Sequence, residues 1–481
     1  MIKIKYAHEP APGKLGLKEL YAIAVGTVIG SGVITLIVPA IKYTGYSAWF
    51  AYFCAIVMGF FMISPYLFVS STVRVQGGVY SLLANLAGPK LAGVNAFVSL
   101  IQPLGTALFG VSTAAYVCDM IPAINNPTGK IVVGVATLTI FYLVNLMGVN
   151  VMAKFQKFMV WLLIAALCMF TVFGVANMKL PIFNTTDPSW LIKGWGFQFS
   201  DSGSINGGFL GAVMLFVFSC NGYYNTIAYG KSAADAKRDI PKVLLMCIPT
   251  LIVCYVGVAI AATGSMTLEE YGESTTLVYA AKKLMPGILY YVFIIGGPIM
   301  ALLSTINTSF ASIAINVGQS CRDGWLPEWF GRQNKHGVPT IALTYYYILM
   351  VIPVLLSLTI TTLTNMIQLM VAFFNVLMFF GFIRMPKLYP NAWKRSKYHI
   401  PDSLYYVLCV ISLFVCCLTI WKTTLSMPKI LAVGSVIGII VLTIVALIRA
   451  KTGTINIETS IWAGDIEEDR HAVEMNGGTI E

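Results

Sequence analysis

The sequence predicts an all-α polytopic membrane protein with twelve transmembrane helices, of which the first and the sixth are broken near the middle of the membrane. Hydrophobic residues make up 57% of the 481 residues, charged residues only 11%, and the mean hydropathy is +0.78. A soluble domain carries about 25% charged residues. The apolar residues form charge-free segments of about the 20 residues that a transmembrane helix needs.

Composition argues against several other classes of protein. The net charge of +11 does not indicate nucleic acid binding, because the basic residues are spread singly between apolar segments. Most of the ten cysteines lie inside apolar segments without metal-ligand spacing, so we expect small buried side chains. The sequence has no P-loop and no cluster of catalytic or metal-ligating residues, so we expect neither an enzyme nor a cofactor. The polar N-terminus predicts no cleavable signal peptide.

Twelve charge-free segments are long enough to span a bilayer. One stretch, 337–383, supplies two of them, with a turn predicted at 357–364. The long connection 265–285 begins with a helix-start signal, Thr267 to Glu270, and is predicted to hold a short surface helix. The predicted spans are 17–42, 46–73, 90–120, 130–152, 156–178, 206–231, 242–264, 286–318, 338–358, 364–384, 403–421 and 429–449.

The basic residues predict the orientation of these spans. With twelve crossings, 23 of the 31 Lys and Arg residues fall on the side that carries both termini. The positive-inside rule therefore places both termini in the cytoplasm, and we expect a multi-pass protein of the plasma membrane. The polar tail, 451–481, is expected to be disordered.

The first predicted span contains a helix-breaking sequence. Val28-Ile29-Gly30-Ser31-Gly32-Val33 lies at the centre of a charge-free run from Leu20 to Ile41. Each glycine costs a helix interior about 0.5–1 kcal/mol relative to alanine. A break at this depth frees backbone groups to hold a polar substrate. The alternative is a close crossing of two helices, which small residues permit.

The sixth span is interrupted in a similar way. Asn221 and Gly222 lie in its middle, among several aromatic residues. Interrupted helices at corresponding positions of two halves are the best sequence indicator of a transporter binding site. Because the repeat from the start of span 1 to the start of span 6 contains five spans, an odd number, the halves are predicted to be inverted relative to each other.

Five motifs in this order resemble those of the amino acid–polyamine–organocation superfamily. The resemblance implies two inverted repeats, 17–178 and 206–384, then two helices within 403–449, between a cytoplasmic N-terminus, 1–16, and the tail. It implies that spans 1, 2, 6 and 7 rock against spans 3, 4, 8 and 9, and that the substrates are amino acids or amines. The motifs are Gly26 to Val33 followed by Pro39, Gly77-Gly78-Val79-Tyr80, Lys237-Arg238-Asp239-Ile240-Pro241, Cys321 to Pro327, and Asn334 to Pro339.

The two breaks are the predicted substrate site. The N–H groups of Ser31, Gly32 and Val33 begin a half-helix and suit a carboxylate, whereas the carbonyls that end the preceding half-helices suit an ammonium group. In the resembling family an aromatic residue caps the substrate, and Phe218 matches it as a gate; the alternative is plain packing. The predicted substrate-binding residues are Thr27, Ile29, Gly30, Ser31, Gly32, Val33, Phe218, Ser219, Cys220, Asn221, Gly222 and Tyr223.

The sequence departs from the family where ion coupling is concerned. Many members carry a lysine in span 5, and Leu163 stands at that position. Thr305, Thr308 and Ser309 share one helix face, and with the carbonyl of Ile29 they form a candidate Na⁺ site. The alternative is ordinary Ser/Thr packing between helices. No acid or base lies deep in any predicted span.

The predicted function is transport of a neutral amino acid, because the pocket candidates carry no charge. Exchange is favoured, and the alternatives are Na⁺- or H⁺-coupled symport of an amino acid or amine, or a substrate sensor with a transporter fold. The expected partners are the amino acid, the lipid bilayer and, as a candidate, Na⁺, without nucleic acid. The further pocket candidates are Gln102, Thr106, Asn225, Asn307 and Asn375.

Overall fold

The computed structural model describes residues 2–201, 203–272 and 276–478, and most of them are helical. Within the described residues, nine helices are long and apolar enough to cross a membrane, or ten if one pair bent by 41° is counted as a single span. The twelve predicted segments exceed this number because the sixth consists of short pieces and the ninth is a shorter helix, Thr340–Leu355. The structure is that of a polytopic membrane protein.

Among the described residues, the first half of the chain contains ten α-helices. The helix from Ala48 carries Pro65 within its length and is fully buried along its second half. Asn126 caps the ninth helix by accepting from Gly129 N, and Pro127 begins it. These helices are α1 (Leu17–Val28), α2 (Ser31–Thr35), α3 (Ile37–Thr44), α4 (Ala48–Thr72), α5 (Gly78–Leu82), α6 (Pro89–Val98), α7 (Pro103–Thr106), α8 (Leu108–Met120), α9 (Pro127–Leu146) and α10 (Val149–Ala176).

The part of the second half that the structure describes contains twelve more, followed by one in the tail. Asp235 and Thr359 cap two of them with their side chains. These helices are α11 (Phe209–Val217), α12 (Ala236–Leu251), α13 (Gly257–Ser265), α14 (Leu268–Tyr271), α15 (Val278–Leu284), α16 (Ile288–Ile294), α17 (Met300–Arg322), α18 (Thr340–Leu355), α19 (Ile360–Leu388), α20 (Pro390–Arg395), α21 (Asp402–Ser426), α22 (Lys429–Thr452) and α23 (Ile466–Met475).

Both predicted breaks are present in the structure. Two residues, Ile29 and Gly30, separate α1 from α2. In the sixth segment, α11 passes into a 3₁₀ turn, Phe218–Cys220, and a second 3₁₀ helix, Tyr223–Tyr229, follows the break at Asn221 and Gly222. The chain therefore interrupts both helices where the sequence has its poorest helix formers.

Two further local predictions agree with the structure. The connection after α13 holds the short helices α14 and α15, and Thr267 and Glu270 form a reciprocal capping box at the start of α14. The turn inside the long charge-free stretch lies between α18 and α19, where Ser357 has a φ of 52°. It is shorter than the predicted turn, 357–364, because α19 already begins at Ile360.

The prediction of a disordered tail is wrong. Strand β5 (Ile455–Glu458) pairs in parallel with β1 (Ile2–Lys5), and β6 (Ile461–Trp462) pairs with β2 (Arg74–Val75) directly after α4. Helix α23 then packs with Ala472 and Val473 buried. The alternation of apolar and polar residues in Ile455–Glu458 buries one side of the strand. Composition alone missed this short pattern among the tail's acids.

We call the layer formed by β1, β2, β5, β6 and α23 the terminal face. Arg74, which is almost fully buried, donates to the Glu9 carboxylate and to the carbonyls of Pro10 and Gly230. In the tail, the backbone N–H of Asn456 donates to the carbonyl of Asp323 at the end of α17. The terminal face thus joins the ends of α4 and α17. Away from it, a third strand pair, β3 (Gln198–Phe199) with β4 (Ile205–Gly207), lies before α11.

Candidate functional site

A cavity of about 130 Å³ lies between the two helix breaks. Residues from α8, α17 and α19 complete its wall, and none of the lining residues carries a charge. They are Thr27, Val28, Gly30, Gly32, Gln102, Thr106, Phe109, Phe218, Ser219, Asn221, Gly222, Tyr224, Asn225, Thr305, Thr308, Ser309, Ser312, Asn316, Ile367, Gln368 and Val371.

Glycines let the broken helices approach their neighbours closely. A Cβ atom on Gly30 would overlap the hydroxyl of Thr305 on α17, and one on Gly32 would overlap the side chain of Ser219. Gly222 has a φ of 105°, and a Cβ atom there would lie 3.0 Å from the carbonyl oxygen of Thr27. The two breaks therefore pack against each other as well as against α17.

Tyr255 fixes the two breaks relative to each other. Its hydroxyl oxygen lies 2.7 Å from the carbonyl oxygen of Val28 and 3.0 Å from that of Ser219. The ring is fully buried and packs on Tyr52, which in turn stacks on Phe216 of α11. One side chain thus contacts the backbone at the end of each half-helix.

The predicted site residues divide into those that line the cavity and those that do not. Thr27, Gly30, Gly32, Phe218, Ser219, Asn221 and Gly222 line it. The side chain of Ser31 lies outside the described residues. The predicted residues that do not line the cavity are Ile29, Val33, Cys220 and Tyr223, all of which are buried in the core.

The additional candidates divide in the same way. Gln102, Thr106 and Asn225 line the cavity. Asn307 instead donates to Gln156 and accepts from Asn145, and Asn375 accepts from the hydroxyl of Tyr66 at 2.8 Å. These two amides have protein partners, so they join helices behind the cavity.

The candidate ion-site residues Thr305, Thr308 and Ser309 all line the same cavity, but Ile29 does not. The hydroxyl of Thr305 donates to Ala301 O at 2.9 Å, and that of Thr308 lies 3.1 Å from Ser304 O. Hydroxyls that donate to their own helix keep lone pairs for a cation. Their oxygens belong to the wall of the cavity rather than to a separate pocket.

One basic residue near the end of a span is buried inside the protein. Helix α21 continues to Ser426, and Lys422 inside it is 1% exposed. Its amine lies 3.3 Å from the amide oxygen of Asn365, an uncharged partner on α19. Lys422 lies directly after the predicted span 403–421 and close to the end of α21, so the expectation that no base lies deep in a span stays a prediction.

Sequence reasoning missed Tyr255 and Gln368. Nothing local distinguishes Tyr255 from the many aromatic residues of the membrane spans, since its partners lie far away in sequence. Gln368 had a usable signal, because it is an amide inside a charge-free segment. The polar candidate predicted on this helix was Asn375, which lies seven residues later.

Comparison with known proteins agrees with this architecture. The amino acid permease family model matches residues 15–448. The chain is 22% identical over 325 residues to an uncharacterised protein of Methanocaldococcus jannaschii, covering 66% of this chain and 71% of that protein. It is 23% identical over 337 residues to the cystine/glutamate transporter of Homo sapiens, covering 66% of this chain and 62% of that protein.

A third relative is the general amino acid permease AGP3 of Saccharomyces cerevisiae, which is 21% identical over 220 residues, covering 43% of this chain and 38% of that protein. The chain thus spans less than two thirds of the length of the human and yeast relatives. The family match extends from just before α1 to within the last turns of α22 and includes both breaks and the cavity. The chain belongs to the amino acid permease family and is a membrane transporter rather than an enzyme.

Proposed function

We propose that this permease is a secondary transporter that moves a neutral amino acid across the plasma membrane by alternating access. The observation that carries the proposal is the uncharged cavity between two broken helices. An acidic substrate side chain would need Arg or Lys in the wall, and a dibasic one would need an acid. The cystine/glutamate relative therefore differs from the proposed substrate preference.

Backbone groups recognise the zwitterion in this proposal. The first N–H groups of α2, from Ser31 to Val33, hold the carboxylate, because the first amides of a helix have no partner inside it. Carbonyls near Thr27 and Phe218 accept from the ammonium group, and the ring of Phe218 closes over it. Proximity of Gly222 to the Thr27 carbonyl supports this arrangement, since both breaks then contribute to one site.

The proposed architecture is twelve helices, with two inverted repeats of five followed by two more. Helices of spans 1, 2, 6 and 7 move against those of spans 3, 4, 8 and 9. Each predicted segment contains helical structure, which supports this count. A sensor with the same fold and no flux is the alternative from a different class.

Exchange is the proposed mode of coupling, and Na⁺ symport is the second candidate. The span-5 lysine of many family members is replaced by Leu163, a buried apolar residue. The hydroxyls of Thr305, Thr308 and Ser309 face the cavity, which supports Na⁺, but they bring no charge to offset the dehydration of an ion.

Uptake into proteoliposomes tests the function and its coupling together. We expect labelled amino acid to enter vesicles preloaded with unlabelled amino acid, with little entry into empty ones. Competition by all twenty amino acids would then define the substrate. Accumulation in empty vesicles only with external Na⁺ would replace exchange by symport, and saturable binding without any flux would support the sensor.

Both termini are proposed to be cytoplasmic, on the basis of the distribution of basic residues. A cysteine introduced at exposed Glu474 in the tail should resist a membrane-impermeant maleimide in intact cells and react after permeabilisation. Exposed Ile121, replaced by cysteine in the connection after α8, is the control and should react from outside. Efficient labelling of the tail in intact cells would reverse the topology.

A further inference from the structure

Gln368, a residue of the cavity wall, carries a buried hydrogen-bond acceptor without a partner among the described residues. It lies on α19, is 1% exposed and lines the cavity wall. Its Nε2 donates to the carbonyl oxygen of Met214 on α11 at 3.2 Å. This contact fixes the orientation of the amide, because only the nitrogen can donate. Oε1 is left buried and without a partner among the described residues.

Asn221 repeats this arrangement at the second break. Its Nδ2 donates to the carbonyl oxygen of Val217 at 2.9 Å, which again fixes the amide. Oδ1 is buried, has no partner in the described part of the chain, and belongs to a residue that lines the same cavity. The hydroxyl of Ser219, two residues earlier, is buried as well and interacts with the hydroxyl of Tyr52.

These groups define the ligand by their hydrogen-bonding capacity. Two amide oxygens accept and cannot donate, whereas the hydroxyl can do both. A buried acceptor that stays unpaired is unfavourable, so an apolar ligand side chain would leave both oxygens unsatisfied. A carboxylate would add further lone pairs and a negative charge. A cationic side chain could donate, but the wall has no acid to balance its charge.

We propose that the cavity selects amino acids with a carboxamide side chain, glutamine or asparagine. The side-chain NH₂ of such a substrate has two hydrogens for the two acceptors, Oε1 of Gln368 and Oδ1 of Asn221. Its carbonyl accepts from the hydroxyl of Ser219. This inference rests on the proposed function of amino acid transport and adds the substrate class, with Gln368 as the residue that determines specificity.

Isosteric amino acids test the substrate class in the uptake assay described above. Asparagine, aspartate and leucine have similar shapes but differ in hydrogen bonding, as do glutamine, glutamate and methionine. The carboxamides should compete at least about tenfold better than their apolar and acidic isosteres, since a site built for N–H donors discriminates strongly against ligands without them. Equal competition by methionine and glutamine would overturn the proposal.

Substitution of Gln368 tests the assignment to that residue. In Gln368→Met the ratio of half-inhibitory concentrations for methionine and glutamine should fall towards one. Asn375→Leu is the control, because this amide on the same helix has protein partners for both its groups. We expect it to lower total uptake and leave the ratio as in the wild type. The ratio does not depend on the amount of folded protein.

The possible failures are distinguishable. If no amino acid enters or competes, the proposed function fails. If amino acids are transported but the apolar isosteres compete equally well, the function stands and the carboxamide class is wrong. If the preference exists in the wild type and persists in Gln368→Met, the assignment to Gln368 is wrong.

Discussion

At the scale of single residues, the site depends on side chains that hold the backbone in an irregular conformation. A broken helix leaves carbonyl and N–H groups without hydrogen-bond partners inside the helix. When such groups are buried, they need hydrogen-bond partners from elsewhere in the protein. Tyr255 contacts one carbonyl at each break with a single hydroxyl. The arrangement of the binding site thus extends to a residue outside the cavity wall.

Removal of this hydroxyl should weaken substrate binding. Tyr255→Phe leaves the carbonyls of Val28 and Ser219 with one donor fewer, and an unsatisfied buried group costs about 1–3 kcal/mol. We expect a loss of substrate affinity of about tenfold or more, on the basis of that energy, together with a lower melting temperature.

Tyr271→Phe is the matched control for this substitution. The hydroxyl of Tyr271 donates to the carbonyl oxygen of Ala262 at 2.7 Å. Tyr271 is buried and does not line the cavity. It should lose stability and keep its affinity for substrate. Equal affinity in the two variants would show that Tyr255 does not position the breaks.

Lys422 allows a test of proton coupling. A buried amine with an uncharged partner is unfavourable in a membrane span and is often functional. If Lys422 takes no part in transport, Lys422→Met should raise the melting temperature and leave uptake unchanged, because methionine fills similar space without a polar group. The exposed Lys429→Met is the control and should change neither. If a pH gradient drives uptake by the wild type, and Lys422→Met but not Lys429→Met abolishes that uptake, the proposed exchange is contradicted. Lys422 would then be identified as a proton carrier.

At the scale of elements, the breaks in the first and sixth segments are the features that the sequence located best. Two glycines around Ser31, and Asn221 beside Gly222, are poor helix formers inside long apolar runs, so the local sequence is sufficient. It was harder to predict which of the polar candidates line the cavity and which lie elsewhere. Asn307 and Asn375 are as polar as Gln102 and Asn225, and only the packing of distant helices decides which of them reach the cavity.

The conformation of the second break depends on Gly222. An alanine there would require a positive φ, which L-residues rarely adopt, and would press on the Thr27 carbonyl. We expect Gly222→Ala to reduce transport more than tenfold by a strain of about 1–3 kcal/mol. Uptake kinetics with surface expression as a reference would measure this.

Gly211→Ala in α11 is the control, because its Cβ atom would make an ordinary contact of 3.5 Å with Tyr43 in a regular helix. It should transport normally. Full activity of Gly222→Ala would mean that the irregular backbone is dispensable. Substitution of Gly32 by leucine is a poorer test of carboxylate binding, since any side chain there overlaps Ser219.

At the scale of the whole molecule, the terminal face was the largest departure from the sequence-based prediction. The membrane spans could be predicted because hydropathy alone defines them. The tail could not, because its order depends on pairing with β1 and β2, more than 300 residues away in the chain. Its strands are too short to be recognised without their partners.

The terminal face should be more stable at acidic than at neutral pH. The pKa of Asp469 is raised to about 7, mainly by burial and also by repulsion from Glu9 and Glu468, whereas the Ala463 N–H and Lys237 act to lower it. Tyr6 and Tyr389 are also close enough to interact with it. A carboxyl whose pKa is raised on folding stabilises the folded state below about pH 4, and this contribution is lost as the pH rises to about 7.

Asp469→Asn tests this pH dependence. The asparagine oxygen can still accept from Ala463 N and does not ionise, so the protection of the tail against limited proteolysis should depend less on pH between 5 and 8 than in the wild type. Asp465→Asn is the control, because the pKa of this exposed carboxyl is lowered instead of raised. An identical pH profile for Asp469→Asn and the wild type would contradict the account.

The central claim is that an amino acid binds between the two helix breaks. The most direct test is a cryo-electron microscopy map of the transporter with the amino acid that competes best for uptake. We predict density in the cavity between Gly30 and Gly222, with the carboxylate next to the first N–H groups of α2. Density for the amino acid at another place, with this cavity filled by side chains, would contradict the account.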